Sequence, residues 1–245
     1  LLSSPNNTLG IEYGRALLRV GAAPALFTIP RTGAAHDATP ENAGGYSASA
    51  IRHLLAEGRR ADALSRMVPA MRTVYEVEEA AGRAPVFAAA CGRAILARLR
   101  SMTPAEFDAL DTGHEGVGQR LYNASRNAAT LDAVLDNAKT KRYAYARLRR
   151  MVLWAYLGLS PAELPASVPY LRVLAANETG RELLGRMRKT ARFPVITKPA
   201  AIRSLSPDSQ RLFETESRAA DLYALAYPEL TEACGSLWRQ NPVMP

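Results

Sequence analysis

The sequence predicts a mainly α-helical protein, in which a fragment of an α/β unit (residues 1–60) precedes an all-helical domain (residues 61–245). Three observations lead to this prediction. Apolar residues recur every three to four positions through most of the chain. Residues that start and stop helices bracket those stretches, and runs typical of strands are scarce after residue 60. With 245 residues, of which 48% are hydrophobic, the chain can form packed cores.

The first 60 residues predict a helix, a strand, a glycine-rich loop and a second helix, in that order. Ser, Pro and Asn at positions 4–6 favour a helix start, and Gly21 ends the periodic stretch that follows. Residues 24–31, PALFTIPR, are apolar and bounded by proline and glycine, as in a buried strand. After the loop, Ser47 stands where the N-cap of the second helix belongs, and Gly58 ends that helix.

Helices are predicted over most of the remaining chain. Thr103 and Ser160 each precede a proline and, three residues later, a glutamate, which predicts capping boxes with proline at the first helical position. The short apolar runs 170–174 and 193–197 are typical of strands or of extended connectors, and both alternatives stay open. Helices are predicted at residues 61–67, 70–81, 86–100, 106–110, 115–126, 131–138, 139–157, 180–192 and 209–227.

Positive charge is concentrated in one part of the chain. Residues 139–205 contain 14 basic and 3 acidic residues, a surplus of 11 that exceeds the net charge of +8 of the whole chain. A clustered surplus of this kind is the electrostatic footprint of a polyanion site, so the sequence predicts nucleic-acid binding. Six cations of the run KTKRYAYARLRR (residues 139–150) are the candidate contacts: Lys139, Lys141, Arg142, Arg147, Arg149 and Arg150.

A helical wheel over residues 139–157 separates an apolar stripe from these cations. Tyr143 and Trp154 fall in the basic sector, where flat rings suit stacked bases. Two other interpretations stay open. The run could be a solvated helix face, or it could pair within the molecule with acidic patches such as the one at residues 76–79. An ion pair between Arg142 and an acid of the same chain would favour the second.

Other classes of site find little support in the sequence. Cys91 and Cys234 are far apart and have no cysteine neighbours, which predicts buried free thiols and neither a zinc site nor a disulfide framework. His36, His53 and His114 do not cluster along the chain, so no metal site is predicted. No apolar run approaches the roughly 18 residues that span a bilayer, and no signal-peptide pattern is found. We therefore expect a cytoplasmic location and no membrane partner.

A weaker pattern in the first 60 residues suggests an anion site. The N–H groups and partial positive charge of a helix start attract phosphate, and two predicted helix starts flank the predicted strand. Ligands of open α/β sheets bind beyond the carboxyl ends of the strands, where Arg31 would lie. The candidate residues for a triphosphate are Asn6, Asn7, Arg31, Ser47, Ser49 and Arg52.

Four stretches together resemble the bacterial tRNA(Met) cytidine acetate ligase family in order and spacing. They are SPNNTLGIEY (4–13), IPRTGAAHD (29–37), YSASAIR (46–52) and TKRYAYARLRR (140–150). YSASAIR also resembles the Ser/Thr-x-Ile-Arg element of HIGH-superfamily nucleotidyltransferases. The resemblance covers essentially the whole chain. It implies that residues 1–60 are the C-terminal part of a Rossmann-like, ATP-binding nucleotidyltransferase domain and that residues 61–245 form a helical tRNA-binding domain.

The resemblance further implies an activity. Members of the family use ATP, with Mg²⁺, to activate acetate as acetyl-adenylate, and they transfer the acetyl group to N4 of the wobble cytidine of elongator tRNA(Met). By position, Asn6 and Arg31 match the family's nucleotide-contacting residues, and Ser47, Ser49 and Arg52 lie near the phosphates. The expected partner is tRNA, and no DNA partner is expected.

One departure from the family pattern matters. The glycine-containing loop with paired histidines, the HIGH-type motif, is absent from the sequence. We therefore expect that the chain lacks the first half of the nucleotide-binding domain and that it does not make acetyl-adenylate alone. The alternative function is a non-catalytic helical module that binds RNA and has lost the adenylation half.

Overall fold

The computed structural model describes residues 5–29, 47–111, 113, 115–230 and 234–244, with the side chains of positions 5 and 6 excepted. These residues are mostly α-helical, as predicted. Contacts divide the chain into two compact units, Leu1–Met67 and Val68–Pro245. This division falls a few residues after the boundary predicted at residue 60, and the functional meaning of the two parts stays a prediction.

Three helices make up the described part of the first unit: α1 (Pro5–Val20), α2 (Ala48–Ala56) and α3 (Arg60–Ser65). The predicted N-cap of α2 is confirmed, because the Ser47 hydroxyl accepts a hydrogen bond from the Ala50 N–H at 3.1 Å. The buried side chains of α2 and α3 pack together as a small core of Ile51, Leu54 and Ala63.

The predicted buried strand at residues 24–31 is wrong for its described part, which ends at Ile29. Residues 24–29 form no strand, and the side chains of Leu26, Phe27 and Ile29 are 72%, 90% and 92% exposed. A strand is stable only when its N–H and C=O groups pair with a neighbour, and the prolines at positions 24 and 30 each remove a donor. An apolar run specifies no such partner.

The second unit contains nine α-helices among its described residues. They are α4 (Pro69–Ala80), α5 (Gly92–Ser101), α6 (Pro104–Asp108), α7 (Val117–Asn127), α8 (Leu131–Ala138), α9 (Tyr145–Leu157), α10 (Glu178–Thr190), α11 (Pro207–Ala224) and α12 (Ser236–Arg239). Short 3₁₀ helices lie at Ala88–Cys91, Pro161–Glu163 and Pro199–Ser204.

The main core of this unit lies between α5, α7, α8 and α9. Leu99, Leu121, Val134 and Leu148 are fully buried there, one from each helix. A second core forms around Phe213 of α11, whose ring meets Trp238 edge-on at 4.6 Å between centroids. Burial of the apolar helix faces in these cores is what holds the helices in place.

Both predicted capping boxes are confirmed. The Thr103 hydroxyl accepts from the Glu106 N–H, and the Glu106 carboxylate accepts from the Thr103 N–H at 2.8 Å. That backbone hydrogen bond lowers the pKa of Glu106. Ser160 and Glu163 form the equivalent pair, although the helix that they start is a 3₁₀ turn. A cap of this kind contributes about 1 kcal/mol to stability.

The two short apolar runs of undecided structure, 170–174 and 193–197, each contain a strand of two residues. β1 (Leu171–Arg172) and β2 (Val195–Ile196) pair in parallel, with Leu171 opposite Val195 and Arg172 opposite Ile196. Parallel strands need a crossover connection, and α10 provides it.

The basic helix predicted at residues 139–157 starts six residues late, at Tyr145. The hydroxyl of Thr140 accepts hydrogen bonds from the N–H groups of Arg142 (3.2 Å) and Tyr143 (3.1 Å). Such a local turn offers the backbone an alternative to the helix. The segment from Lys139 to Ala144 is therefore a loop between α8 and α9.

Cys91 is buried, as expected, whereas Cys234 is exposed, contrary to expectation, because it precedes α12 in a surface loop. None of the helices that the structure describes is both long and apolar enough to cross a lipid bilayer.

Candidate nucleic-acid interface

The basic segment, residues 139–150, consists of the loop before α9 and the first half of that helix. Its cations differ in exposure. Lys139 is half-buried, and its Nζ donates to the Thr140 carbonyl at 2.6 Å. The side chain of Arg147 is only 22% exposed. Four cations are exposed: Lys141, Arg142, Arg149 and Arg150.

Arg147 is held by two carboxylates of its own chain. Its Nε and Nη2 donate to Oδ1 and Oδ2 of Asp111 at 3.1 and 2.6 Å, and its Nη1 donates to Oε2 of Glu115 at 2.9 Å. The fork of the guanidinium matches the Asp111 carboxylate in the strong bidentate geometry. The expectation that Arg147 projects freely toward phosphates is therefore wrong. Its hydrogen bonds join α9 to the loop before α7.

These ion pairs shift the pKa values of all three groups. Hydrogen bonds from Arg147 hold the pKa of Asp111 and that of Glu115 below their usual values. The same bonds raise the pKa of Arg147. All three groups are thus charged at neutral pH, and the pair of carboxylates neutralises this arginine.

Tyr143 also belongs to this structural cluster. It is buried, its hydroxyl donates to the Glu115 carbonyl at 2.5 Å, and the guanidinium of Arg147 lies 5.7 Å from the centre of its ring. Trp154 is half-buried and packs against the main core. The expectation that Tyr143 and Trp154 offer exposed rings to bases is therefore wrong. Both rings are used to hold α9 in place.

Arg142 forms the intramolecular ion pair that would favour the structural interpretation. Its Nη2 lies 3.4 Å from Oε1 of Glu115. The Arg142 side chain is nevertheless 64% exposed, and an exposed pair of this kind contributes between about 0 and 1 kcal/mol. Such a pair can give way to a phosphate. The acidic patch at 76–79 is not the partner, and its Glu78 pairs with Arg83 at 2.6 Å.

The other exposed cations are not neutralised in this way. Among the described residues, no carboxylate lies within 4 Å of Lys141, Arg149 or Arg150. The intramolecular interpretation thus holds for Arg147 and in part for Arg142. Lys141, Arg149 and Arg150 face solvent, whereas Lys139 is half-buried.

Tyr145 is the exposed aromatic ring that sequence reasoning missed. It is 38% exposed and lies between two cations, with Lys139 Nζ and Arg149 Cζ each 5.6 Å from its ring centre. Its hydroxyl donates to Asp136, which raises the pKa of the phenol. The i, i+4 spacing of Tyr145 and Arg149 on a helix was the available signal. A ring flanked by cations suits a stacked base.

The candidate ATP residues are described only in part. Arg31 and the side chain of Asn6 lie outside the described residues, and Asn7 is exposed on α1. On α2 the Ser49 hydroxyl accepts from Nη2 of Arg52 at 3.4 Å, and both residues are exposed in the first turns of the helix. The Ser47 hydroxyl serves as the N-cap. A hydroxyl and a guanidinium at a helix start are suited to phosphate.

Comparison with known proteins identifies the class of this chain. A family model described as HIGH Nucleotidyl Transferase matches residues 1–236. The chain therefore belongs to the HIGH nucleotidyltransferase family.

Two relatives of the chain are tRNA(Met) cytidine acetate ligases. The chain is 33% identical over 233 residues to the tRNA(Met) cytidine acetate ligase of Alkaliphilus metalliredigens, covering 92% of this chain and 55% of the relative. It is 31% identical over 258 residues to the enzyme of the same name from Acetivibrio thermocellus, covering 100% of this chain and 61% of the relative. The resemblance to the tRNA(Met) cytidine acetate ligase family is thereby confirmed.

Solved structures agree with these relatives. Thermotoga maritima TmcAL without ligand matches with a TM-score of 0.90 at 26% identity, over 99% of this chain and 61% of that protein. The same protein bound to alpha-thio ATP matches with a TM-score of 0.87 at 25% identity, over 99% and 60% of the two chains. This chain thus spans between 55% and 61% of the length of these relatives. The coverage does not support the expectation that the first half of the domain is missing.

Proposed function

We propose that this chain is a tRNA(Met) cytidine acetate ligase or the C-terminal portion of one. The observation that carries the proposal is the similarity of fold to TmcAL, with a TM-score of 0.90 over 99% of this chain. The four exposed cations of the basic segment support an RNA substrate, because exposed positive charge attracts the phosphate backbone. The proposal places the protein in the cytoplasm and makes elongator tRNA(Met) its partner.

Two chemical steps make up the proposed reaction. A carboxylate oxygen of acetate attacks the α-phosphorus of ATP, and pyrophosphate leaves to give acetyl-adenylate. The N4 amine of the wobble cytidine then attacks the acetyl carbon, AMP leaves, and N4 loses a proton. Acetate needs no general base in the first step because it is already ionised at neutral pH.

In this proposal, Ser49 and Arg52 of α2 bind the phosphates, together with Asn6, Asn7, Arg31 and Ser47. A guanidinium near the phosphates stabilises the charge that develops as pyrophosphate leaves. Among the described residues, no three His, Cys, Asp or Glu side chains are grouped to hold a metal ion. The Mg²⁺ of the proposal would be held mainly by the phosphates of ATP, as is common for this ion.

A second candidate function is an RNA-binding module without catalysis. The observation that favours it is the absence of paired histidines of the HIGH type from these 245 residues. Both candidates predict binding of tRNA, so binding alone does not separate them.

Incorporation of radiolabelled acetate separates the two functions. The chain is incubated with ATP, Mg²⁺, labelled acetate and an unmodified elongator tRNA(Met) transcript, and a transcript with uridine at the wobble position is the matched control. Label in the first transcript alone supports the ligase. Salt-dependent binding of tRNA without label supports the module, and absence of both label and binding contradicts both functions.

A further inference from the structure

A cavity of about 430 Å³ lies beside α10, apart from the basic segment. Arg181, Gly185 and Arg188 of α10 form one wall. Lys198, which follows β2, and Asn241 of the C-terminal segment line the rest, with Thr197 and three apolar residues between them. Arg181 and Arg188 are seven residues apart, which is two helical turns, so that they point to the same side of α10.

The charged side chains that line the cavity are all positive. Three of its lining side chains are cationic and none is a carboxylate. Residues 181–198 contain six basic residues and one acidic residue. Cations near the C-terminus of a helix are common because they complement the helix dipole, and that accounts for Arg188 as a structural feature. It does not account for Lys198, which comes from a different element and lines the same cavity. No carboxylate among the described residues lies within 4 Å of Arg188 or Lys198.

Backbone hydrogen bonds hold the walls of the cavity in place. The Val243 N–H donates to the Leu174 carbonyl and the Ala176 N–H donates to the Val243 carbonyl, both at 3.0 Å. Nη2 of Arg172 donates to Oε1 of Gln240 at 2.9 Å. The C-terminal segment is thus attached to the chain that follows β1, and β1 pairs with β2, which leads to Lys198. A preformed concave site binds a ligand without the cost of ordering its walls.

We propose that this cavity is a phosphate-binding site, in which Arg188 and Lys198, with Arg181, hold one phosphate group. Arginine provides a planar fork for two phosphate oxygens and lysine provides a compact charge. Thr197 and Asn241 add neutral donors. The phosphate comes either from the backbone of tRNA or from a small anion such as pyrophosphate. The tRNA source rests on the function proposed above, and the pyrophosphate source does not.

A pair of matched double variants tests the site. Arg188→Ala with Lys198→Ala removes two cations of the cavity. Arg186→Ala with Lys189→Ala removes the same two residue types from exposed positions of α10 that do not line the cavity. Binding of elongator tRNA(Met) is measured over a salt series, binding of pyrophosphate is measured by calorimetry, and thermal melting checks the fold of each variant.

Loss of the one phosphate contact that the cavity makes lowers the magnitude of the salt slope by about 0.7 to 0.9 and the affinity for tRNA about fivefold at about 0.1 M salt. We expect this loss for the cavity variant and a much smaller one for the control. Equal loss in the two variants, or no loss in the cavity variant together with no binding of pyrophosphate, overturns the proposal. If the wild type binds pyrophosphate through Arg188 and Lys198 but binds no tRNA, the phosphate site stands and the proposed function fails.

Gly185 permits a second test in which no cation is removed. A Cβ at this position meets no atom within 4 Å outside the backbone of its own helix, so the wall of the cavity has room for the first atom of a side chain. Gly185→Glu places a carboxylate beside the cations, and Gly185→Ala is its control. The glutamate variant should lose binding of the same ligand as the cavity double variant, while the alanine variant binds like the wild type. Unchanged binding by Gly185→Glu contradicts the proposal.

Discussion

Arg147 and Arg149 are two residues apart on α9, yet the structure assigns them different roles. Arg147 is anchored by Asp111 and Glu115, whereas Arg149 is exposed beside Tyr145. Replacement of Arg147 by Met should therefore reduce stability, and replacement of Arg149 by Ala should reduce the affinity for RNA. The prediction depends on which cation is neutralised within the fold.

The loss of stability expected for Arg147→Met follows from the burial of Arg147 and of its main partner, Asp111. The side chains of Arg147 and Asp111 are 22% and 13% exposed. A fully exposed pair contributes about 0 to 1 kcal/mol, and loss of one partner of a fully buried pair costs about 3 to 5 kcal/mol. An intermediate loss of about 2 kcal/mol is expected. For a unit of this size, it corresponds to a decrease in Tm of about 4 to 8 °C.

The effect of Arg147→Met on stability should depend on pH. The folded-state pKa of Asp111 lies below its usual value, so the stabilisation is complete above the usual pKa and is lost as pH falls through the folded-state value. The difference in Tm between wild type and variant should be full at pH 7 and shrink below about pH 4. Arg147→Lys keeps the positive charge but lacks the forked guanidinium. Its Tm should lie between that of the wild type and that of Arg147→Met.

Two assays on the same proteins complete this test. Thermal melting should separate Arg147→Met from wild type while Arg149→Ala melts like wild type. In tRNA binding, Arg149→Ala should reduce the salt slope by about 0.7 to 0.9 and the affinity about fivefold at about 0.1 M salt. If Arg147→Met melts like wild type and weakens tRNA binding as much as Arg149→Ala does, the assignment of the two roles is wrong.

Three other side chains give sharp predictions. Tyr145→Ala should weaken tRNA binding roughly tenfold if a base stacks on the ring, whereas Tyr145→Phe should bind like wild type, and equal loss in both would contradict stacking. Arg52→Ala should weaken binding of ATP in calorimetry, and Arg59→Ala, whose cation pairs with Asp62, should leave it unchanged. Thr103→Ala removes an N-cap and should lower the free energy of unfolding by about 1 kcal/mol in urea titration, while an unchanged midpoint would show that the cap is dispensable.

Local patterns were sufficient to predict most helices. Ser47, Thr103 and Ser160 each act within three residues of themselves, so the caps that they form could be read from the sequence. The run at residues 24–29 was misassigned because a strand depends on a partner that no local pattern specifies. The same limit left β1 and β2 undecided until their pairing was seen.

The location of the candidate interface could be predicted from the sequence, but the contacts of its individual side chains could not. The charge surplus located the basic segment correctly, because charge can be counted along the chain. The structural role of Arg147 depends on its ion pair with Asp111, which is 36 positions away. No periodicity in the sequence links the two residues. Because of the turn at Thr140, α9 starts at Tyr145, and Tyr143 lies in the loop before the helix with its ring buried.

The most direct test of the central claim is the salt dependence of tRNA binding by a variant in which the four exposed cations are replaced by alanine. The replaced residues are Lys141, Arg142, Arg149 and Arg150. If these side chains bind tRNA phosphates, the magnitude of the slope of log K against log salt should fall by about 2.8 to 3.6 relative to wild type. The Tm should fall by no more than about 2 to 4 °C, through loss of the exposed pair between Arg142 and Glu115. A slope equal to that of the wild type would show that this surface does not bind RNA.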